Sequence, residues 1–223
     1  MTSSTSARPL DGLHALVAGA GGPHARPAAV ALAEAGATVS LFTQADDRAQ
    51  EVEAQSILNE CWSLGRDGEV VRLDATDAAH LAAALDAIEA KHGPVSVLVT
   101  VPPAPQPHAE EAFDGGAWDA EFRRSATSTV MPVLSAGRRM LVRGSGRVVN
   151  VVSALHEGTS RELAAYAAAQ SAVLAFTRSL AQDWDSRGVL VRALVSPEPE
   201  HASGPHANES FRTLLRATLE GAS

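Results

Sequence analysis

The chain has 223 residues, a length that suits one α/β domain and is short for two. Its net charge of −8, without a basic stripe, argues against nucleic-acid binding, and its single cysteine excludes a disulfide framework or a CxxC metal site. No apolar run approaches the ~20 residues of a membrane span, so we expect a cytoplasmic protein with a flexible tail at 1–10 and a single domain at 11–223.

The predicted elements alternate between strand and helix. Short apolar runs bounded by turn residues predict six strands, at 13–19, 38–42, 70–74, 95–99, 147–153 and 189–195. Helical periodicity and capping residues predict helices at about 27–35, 46–65, 81–88, 118–142, 162–184 and 210–219. This alternation predicts a doubly wound, Rossmann-type parallel sheet in a three-layer αβα fold, with a truncated C-terminus that lacks a seventh strand.

Ligands of such sheets bind beyond the carboxyl ends of the strands, at the point where the strand order reverses. We therefore expect a site among the turns that follow the strands, after Val17, Phe42, Asp74, Val99, Ser153 and Val195.

The order and spacing of the elements resemble the short-chain dehydrogenase/reductase family from about residue 11 to residue 197. Members of that family move a hydride between NAD(P) and a carbonyl or alcohol. The segments that carry the resemblance are Ala15-Leu-Val-Ala-Gly-Ala-Gly-Gly, Leu73-Asp-Ala-Thr-Asp, Arg147-Val-Val-Asn-Val-Val-Ser and Ala165-Tyr-Ala-Ala-Ala-Gln-Ser-Ala.

The resemblance implies a cofactor turn that this chain keeps only in part. The family's Thr-Gly-x-x-x-Gly-x-Gly holds the pyrophosphate on backbone N–H groups at a helix start. Here Gly19 matches the first glycine and Gly21 and Gly22 follow it, but Pro23 and Ala25 replace the other two glycines. Because proline has no N–H to donate, this turn predicts weakened phosphate binding.

Two further positions bear on the cofactor. Thr43 stands at the end of the second strand, where NAD-preferring members place an aspartate, and Asp74 matches the family's adenine-contacting aspartate. After the fourth strand, Pro102 and Pro103 replace the last two residues of the family's Asn-Asn-Ala-Gly, where the backbone lies against the cofactor. Prolines fill the space that a glycine leaves open, so we predict no cofactor or weak NAD(P) binding.

The family's catalytic residues are Asn, Ser, Tyr and Lys, and they fall on Ser125, Ser153, Tyr166 and Gln170. Tyr166 is the only tyrosine and follows Ser153 by the family's usual 13 residues. Gln170 carries no charge to lower the tyrosine's pKa, and a tyrosine at its ordinary pKa of ~10 is about one part in a thousand ionised at pH 7. The only lysine, Lys91, is predicted at the opposite edge of the sheet.

These substitutions favour a non-catalytic structural or regulatory partner of an active relative. The alternative is an NAD(P)-dependent oxidoreductase that acts on a carbonyl or hydroxyl substrate through Ser153 and Tyr166. A third hypothesis is a cofactor-free lyase or isomerase in the vacated pocket. His156, three residues after Ser153, is a candidate base if the chain is an enzyme.

The resemblance also implies assembly, because the family's main subunit interface uses the two helices predicted here at 118–142 and 162–184. We expect a homo- or hetero-oligomer with a relative through these helices, and no membrane or nucleic-acid partner. Glu200, His201 and His206 lack supporting ligands in a loop rich in proline and glycine, so we predict no metal site.

Overall fold

The computed structural model describes residues 8–107, 114–154, 161–196 and 205–220. The strands are β1 (His14–Ala18), β2 (Thr38–Gln44), β3 (Val70–Leu73), β4 (Val95–Thr100), β5 (Gly146–Ser153) and β6 (Val189–Ser196). They form one parallel sheet of six strands in the order β3-β2-β1-β4-β5-β6. The order reverses between β1 and β4, so the carboxyl ends of these two strands mark the expected ligand edge.

Helices cover both faces of the sheet. They are α1 (Ala25–Glu34), α2 (Arg48–Ser63), α3 (Ala78–His92), α4 (Gly115–Phe122), α5 (Ser128–Arg143), α6 (Ala164–Trp184) and α7 (Pro205–Glu220). One apolar core lies between the sheet and α1, α2 and α7. A second core lies between the opposite face and α3, α5 and α6. The predicted doubly wound, three-layer fold is confirmed.

Several helix starts differ from the predicted ones. α1 begins at Ala25 rather than at Pro27, because a proline in the first helical turn lacks only an N–H that the helix does not use. Asp47 rather than Asp46 caps α2, by accepting a hydrogen bond from the Gln50 N–H at 3.0 Å. Residues 1–7 of the predicted tail lie outside the described residues. Leu10 is buried in the core beside α1 and α2.

The helix predicted at 118–142 is interrupted. α4 and α5 are separated by a π-helical turn, Arg123–Thr127, which turns Ser125 and Ala126 into the protein interior. A π-helical turn closes its hydrogen bonds one residue later than an α-helix, so it changes which side chains face inward. This local geometry is beyond the reach of a regular 3.6-residue pattern.

A chain of buried polar side chains ties the sheet to α6. Thr100 Oγ1 on β4 donates to Asn150 Oδ1 on β5 at 2.7 Å, and Asn150 Nδ2 donates to Thr177 Oγ1 on α6 at 2.8 Å. Thr177 Oγ1 in turn donates to the Val173 carbonyl at 2.6 Å. Each of the side-chain polar atoms in this row of hydrogen bonds has a partner, as a low-dielectric interior requires. The chain fixes α6 against the two strands that carry the candidate site.

Candidate functional site

Two of the predicted catalytic side chains meet at the carboxyl end of β5. Ser153 is the last residue of β5, and Tyr166 lies in the first turn of α6 with only 1% of its surface exposed. Ser153 Oγ lies 2.9 Å from Tyr166 Oη. The phenol also donates to the Pro103 carbonyl oxygen at 3.1 Å. Because a phenol has one proton and a carbonyl can only accept, Ser153 must donate to the Tyr166 oxygen.

Gln170 lies one helical turn after Tyr166 and is buried. Its Oε1 accepts a hydrogen bond from the Ser153 N–H at 3.1 Å. Its Nε2 is buried without a hydrogen-bond partner. The carboxamide therefore holds the end of β5 against α6, which a lysine ammonium could not do, because it has no acceptor.

Ser125 is fully buried in the π-helical turn. Its hydroxyl donates to the Glu121 carboxylate, which also receives a bidentate pair from Arg124. The hydroxyl of Ser125 is thus committed to α4. The structure brings Ser153, Tyr166 and Gln170 into one hydrogen-bonded group, and it places Ser125 in a separate group with Glu121.

Burial raises the pKa of Tyr166 above its ordinary value of 10.0. The hydrogen bond with Ser153 and the charge of Arg124 act in the opposite direction, whereas the charge of Glu121 adds to the rise. The neutral phenol therefore dominates at neutral pH. As built, the group is a proton donor and a poor base.

The turn after β1 is pressed against the segment after β4. Gly19 has φ of +92°, and a Cβ there would overlap the Val101 carbonyl oxygen. A Cβ on Gly22 would overlap the Pro102 carbonyl oxygen, and one on Gly21 would overlap the Gln50 side chain. Close packing against backbone therefore requires glycine at positions 19 and 22, whereas at position 21 the flexible Gln50 side chain could move aside. The turn after β1 and the segment after β4 are therefore so close that no side chain fits between them at Gly19 or Gly22.

The remaining predicted cofactor positions lie at the same edge. Thr43 is buried near the end of β2, and its Oγ1 has no hydrogen-bond partner. Asp74 Oδ1 accepts from the Thr76 N–H at 2.8 Å and from Thr76 Oγ1 at 2.6 Å, and Asp74 Oδ2 accepts from Arg123 Nη2 at 2.9 Å. The two Thr76 hydrogen bonds are the main cause of a lowered Asp74 pKa. Asp74 therefore stabilises its own turn.

Sequence reasoning missed His24, which precedes α1. Its ring is buried and stacks on Phe211 of α7, with the ring centroids 4.7 Å apart and the planes at 8°. Burial lowers the pKa of His24 to about 4, and its Nε2 has no partner. A lone histidine in a glycine-rich turn gives no signal of burial, because α7 comes from the other end of the chain.

Three buried polar atoms at this edge lack partners: His24 Nε2, Thr43 Oγ1 and Gln170 Nε2. An unpartnered buried polar atom costs about 1–3 kcal/mol, so such atoms favour a ligand or water that can bond them. All three atoms lie at the edge where the predicted cofactor positions fall. The close contact between Gly22 and Pro102 narrows the space between the turn after β1 and the segment after β4.

Other candidates add nothing to the site. His156, Glu200 and His201 lie outside the described residues. Across 8–107, 114–154, 161–196 and 205–220, no group of three or more His, Cys, Asp or Glu side chains could hold a metal ion. In that part of the chain no helix has the length and apolar character needed to cross a membrane.

Comparison with known proteins gives consistent matches over most of the chain. The family model for short chain dehydrogenases matches residues 13–199. D-threitol dehydrogenase of Mycolicibacterium smegmatis is 30% identical over 188 residues, which are 83% of this chain and 69% of that protein. The 3-oxoacyl-[acyl-carrier-protein] reductase of Vibrio cholerae is 29% identical over 210 residues, 94% of this chain and 83% of that protein.

A solved structure matches in the same way. Gluconate 5-dehydrogenase from Burkholderia cenocepacia, in complex with NADP and tartrate, superposes with a TM-score of 0.74 at 27% identity. The match covers 86% of this chain and 73% of that one. The similarity therefore extends over most of the chain.

Proposed function

This chain belongs to the short-chain dehydrogenase family, and on that premise we propose that it is an oxidoreductase that interconverts a carbonyl and an alcohol. When bound, weakly held NAD(P) supplies or accepts the hydride. The relatives are named as dehydrogenases and a reductase, and one was solved with NADP. They support the oxidoreductase alternative more strongly than the non-catalytic partner that the substitutions favoured.

The hydrogen-bonded group of Ser153, Tyr166 and the Pro103 carbonyl is the observation that carries this proposal. The phenol already donates its proton to a carbonyl oxygen at 3.1 Å. A substrate carbonyl in place of the Pro103 carbonyl would receive the same proton as hydride reaches its carbon. Ser153 lies 2.9 Å from the phenol oxygen and would orient that proton donor. The substrate class that fits is a ketone or aldehyde and its alcohol.

Weak cofactor binding follows from the same edge. Thr43 Oγ1 and Gln170 Nε2 are buried without partners, so they can bond hydroxyl or phosphate groups only when the edge opens. Pro23 donates no N–H, and the Gly22–Pro102 contact must open before a dinucleotide can pass. The two unpartnered polar atoms favour binding of the cofactor, whereas Pro23 and the Gly22–Pro102 contact oppose it. Together they support binding of low affinity.

Calorimetric titration with NADH and NADPH tests the proposal. We expect a dissociation constant between about 100 μM and 10 mM for one of them, or roughly −5.5 to −2.7 kcal/mol. Turnover of simple ketones should appear when that cofactor is supplied at saturating concentration. Absence of both heat and turnover at ~10 mM cofactor would leave the non-catalytic partner as the better hypothesis.

That second candidate keeps specific support. The phenol proton is held by the chain's own Pro103 carbonyl, and Gln170 offers no charge to ionise the phenol. The exposed side of α6 carries the small side chains of Ala164, Ala172 and Ala175. Small side chains permit the close approach of another helix. We propose assembly through the helices at 118–142 and 162–184 under either function.

The two directions of the reaction should differ in pH dependence. Carbonyl reduction uses the neutral phenol, which dominates at every pH below the raised pKa of Tyr166. Alcohol oxidation uses the ionised phenol, whose fraction grows about tenfold per pH unit below that pKa. We expect kcat/KM for reduction to stay level from about pH 6 to 9, while kcat/KM for oxidation rises throughout. Steady-state profiles in both directions measure this. A plateau in oxidation near pH 7 would show that a different base operates.

A further inference from the structure

A buried ion pair lies beside the candidate site. Arg124 donates from Nη2 to both carboxylate oxygens of Glu121 at 2.8 Å and from Nε to Glu121 Oε2 at 3.2 Å. The Glu121 side chain is 1% exposed and that of Arg124 is 25% exposed. The Ser125 hydroxyl also donates to Glu121. A planar carboxylate held this way fixes the plane of the guanidinium, so the remaining N–H groups of Arg124 have a set direction.

One of those remaining groups reaches the segment after β4. Arg124 Nη1 donates to the Ala104 carbonyl oxygen at 2.9 Å. Ala104 directly follows Pro103, whose carbonyl oxygen accepts the Tyr166 proton at 3.1 Å. Pro102 and Pro103 have fixed φ angles but no N–H groups. Hydrogen bonds from their own backbone therefore cannot hold their carbonyls in place. The Arg124 bond supplies an anchor one residue from the acceptor of the phenol.

From this connection we propose that Arg124 is a positioning residue for Tyr166. Its guanidinium, oriented by Glu121, holds the Ala104 carbonyl, one residue after the Pro103 carbonyl that accepts from the phenol, and thereby helps to set the direction of the phenol proton. The inference rests on the proposed role of Tyr166 as proton donor and deepens it. A substrate carbonyl that takes the place of the Pro103 carbonyl must work against the Arg124–Ala104 bond, so Arg124 also governs access to the proton.

The single tyrosine makes the contact directly observable without cofactor or substrate. Biosynthetic incorporation of 3-fluorotyrosine places one fluorine label in the whole chain, at Tyr166. Its ¹⁹F NMR signal reports the surroundings of the ring. In Arg124→Gln we expect the signal to move at least halfway toward its position in the urea-unfolded protein, or to split into two populations. In wild type it should be a single signal far from that position.

Arg123→Gln is the matched control. Arg123 lies in the same turn and is exposed, but it forms an ion pair with Asp74, whereas Arg124 bonds the Ala104 carbonyl. In Arg123→Gln the ¹⁹F signal of the labelled Tyr166 should stay at the wild-type position. Glu121→Gln retains a carbonyl oxygen to orient Arg124 and should move the signal less than Arg124→Gln does. If the stranded carboxylate prevents folding of Arg124→Gln, the double variant Glu121→Gln/Arg124→Gln removes both charges and tests the same bond.

The outcomes separate this inference from the proposed function. A wild-type ¹⁹F position in a folded Arg124→Gln protein, or an equal shift in Arg123→Gln, would overturn the positioning role even if the protein is an active enzyme. A shift confined to the Arg124 variants supports the role even if no cofactor-dependent turnover is found. Circular dichroism of each variant establishes that the compared proteins are folded.

Discussion

Replacement of Tyr166 with phenylalanine is expected to lower kcat/KM for carbonyl reduction by about 100- to 10,000-fold, the usual contribution of a general acid. In the proposed mechanism the hydroxyl is the proton donor, and in the structure it joins Ser153 to the Pro103 carbonyl. Phenylalanine fills nearly the same buried volume, so the ring packing of α6 should persist. Steady-state turnover of wild type and variant at saturating cofactor measures the effect.

Ser153→Ala is the comparison for this variant. It removes the hydrogen bond to the phenol oxygen but leaves the phenol and its proton in place. We expect a smaller loss than in Tyr166→Phe. Turnover in Tyr166→Phe within tenfold of wild type would remove Tyr166 from the mechanism. Such a result would redirect attention to other proton donors at the edge of the sheet.

Gly19→Ala should cause the largest loss of stability among single methyl additions to the site. The φ of +92° costs an L-residue about 1–2 kcal/mol, and overlap with the Val101 carbonyl adds about 1–3 kcal/mol. Val101 cannot easily withdraw, because its N–H donates to the Ala18 carbonyl at 2.8 Å. We expect the free energy of unfolding to fall by about 2–5 kcal/mol. Urea denaturation followed by circular dichroism measures it.

Gly12→Ala isolates the part of that loss that comes from overlap. Gly12 also has a positive φ, of +75°, but no atom lies within 4 Å of a Cβ placed there. This variant should lose only the conformational share, about 1–2 kcal/mol. Equal losses in the two variants would mean that Val101 moves away without cost. The contact between the β1 turn and the segment after β4 would then be loose.

The sequence predicted the fold well, because apolar strands and amphipathic helices carry their own periodicity. The edge of the sheet at which Ser153 and Tyr166 meet followed from the alternation of strand and helix. The family resemblance placed both residues in one candidate catalytic set, and the hydrogen bond between them came from the structure. The role of Gln170 was harder to predict. A glutamine in place of a lysine indicates a lost charge, but not that its oxygen would hold the Ser153 N–H.

The ion pair of Glu121 and Arg124 could not be predicted for a physical reason. Two opposite charges three residues apart on a helix normally lie on a solvated face. Here Glu121 is the buried residue of α4, and the π-helical turn that begins after Phe122 carries its partners Arg124 and Ser125. His24 is a similar case, because its burial depends on Phe211, 187 positions later in the chain. Contacts of this kind depend on tertiary packing rather than on local pattern.

The polar chain of Thr100, Asn150 and Thr177 has a consequence for how this protein can move. It joins β4, β5 and α6 by side-chain hydrogen bonds in which the Asn150 carboxamide both accepts from Thr100 and donates to Thr177. Ser153 on β5 and Tyr166 on α6 are therefore expected to move together. The turn after β1 and the proline segment after β4 lie outside this set of hydrogen bonds. In the proposed enzyme the scaffold thus holds the two reacting side chains together, so substitutions in the turn after β1 could alter what reaches them without moving either one.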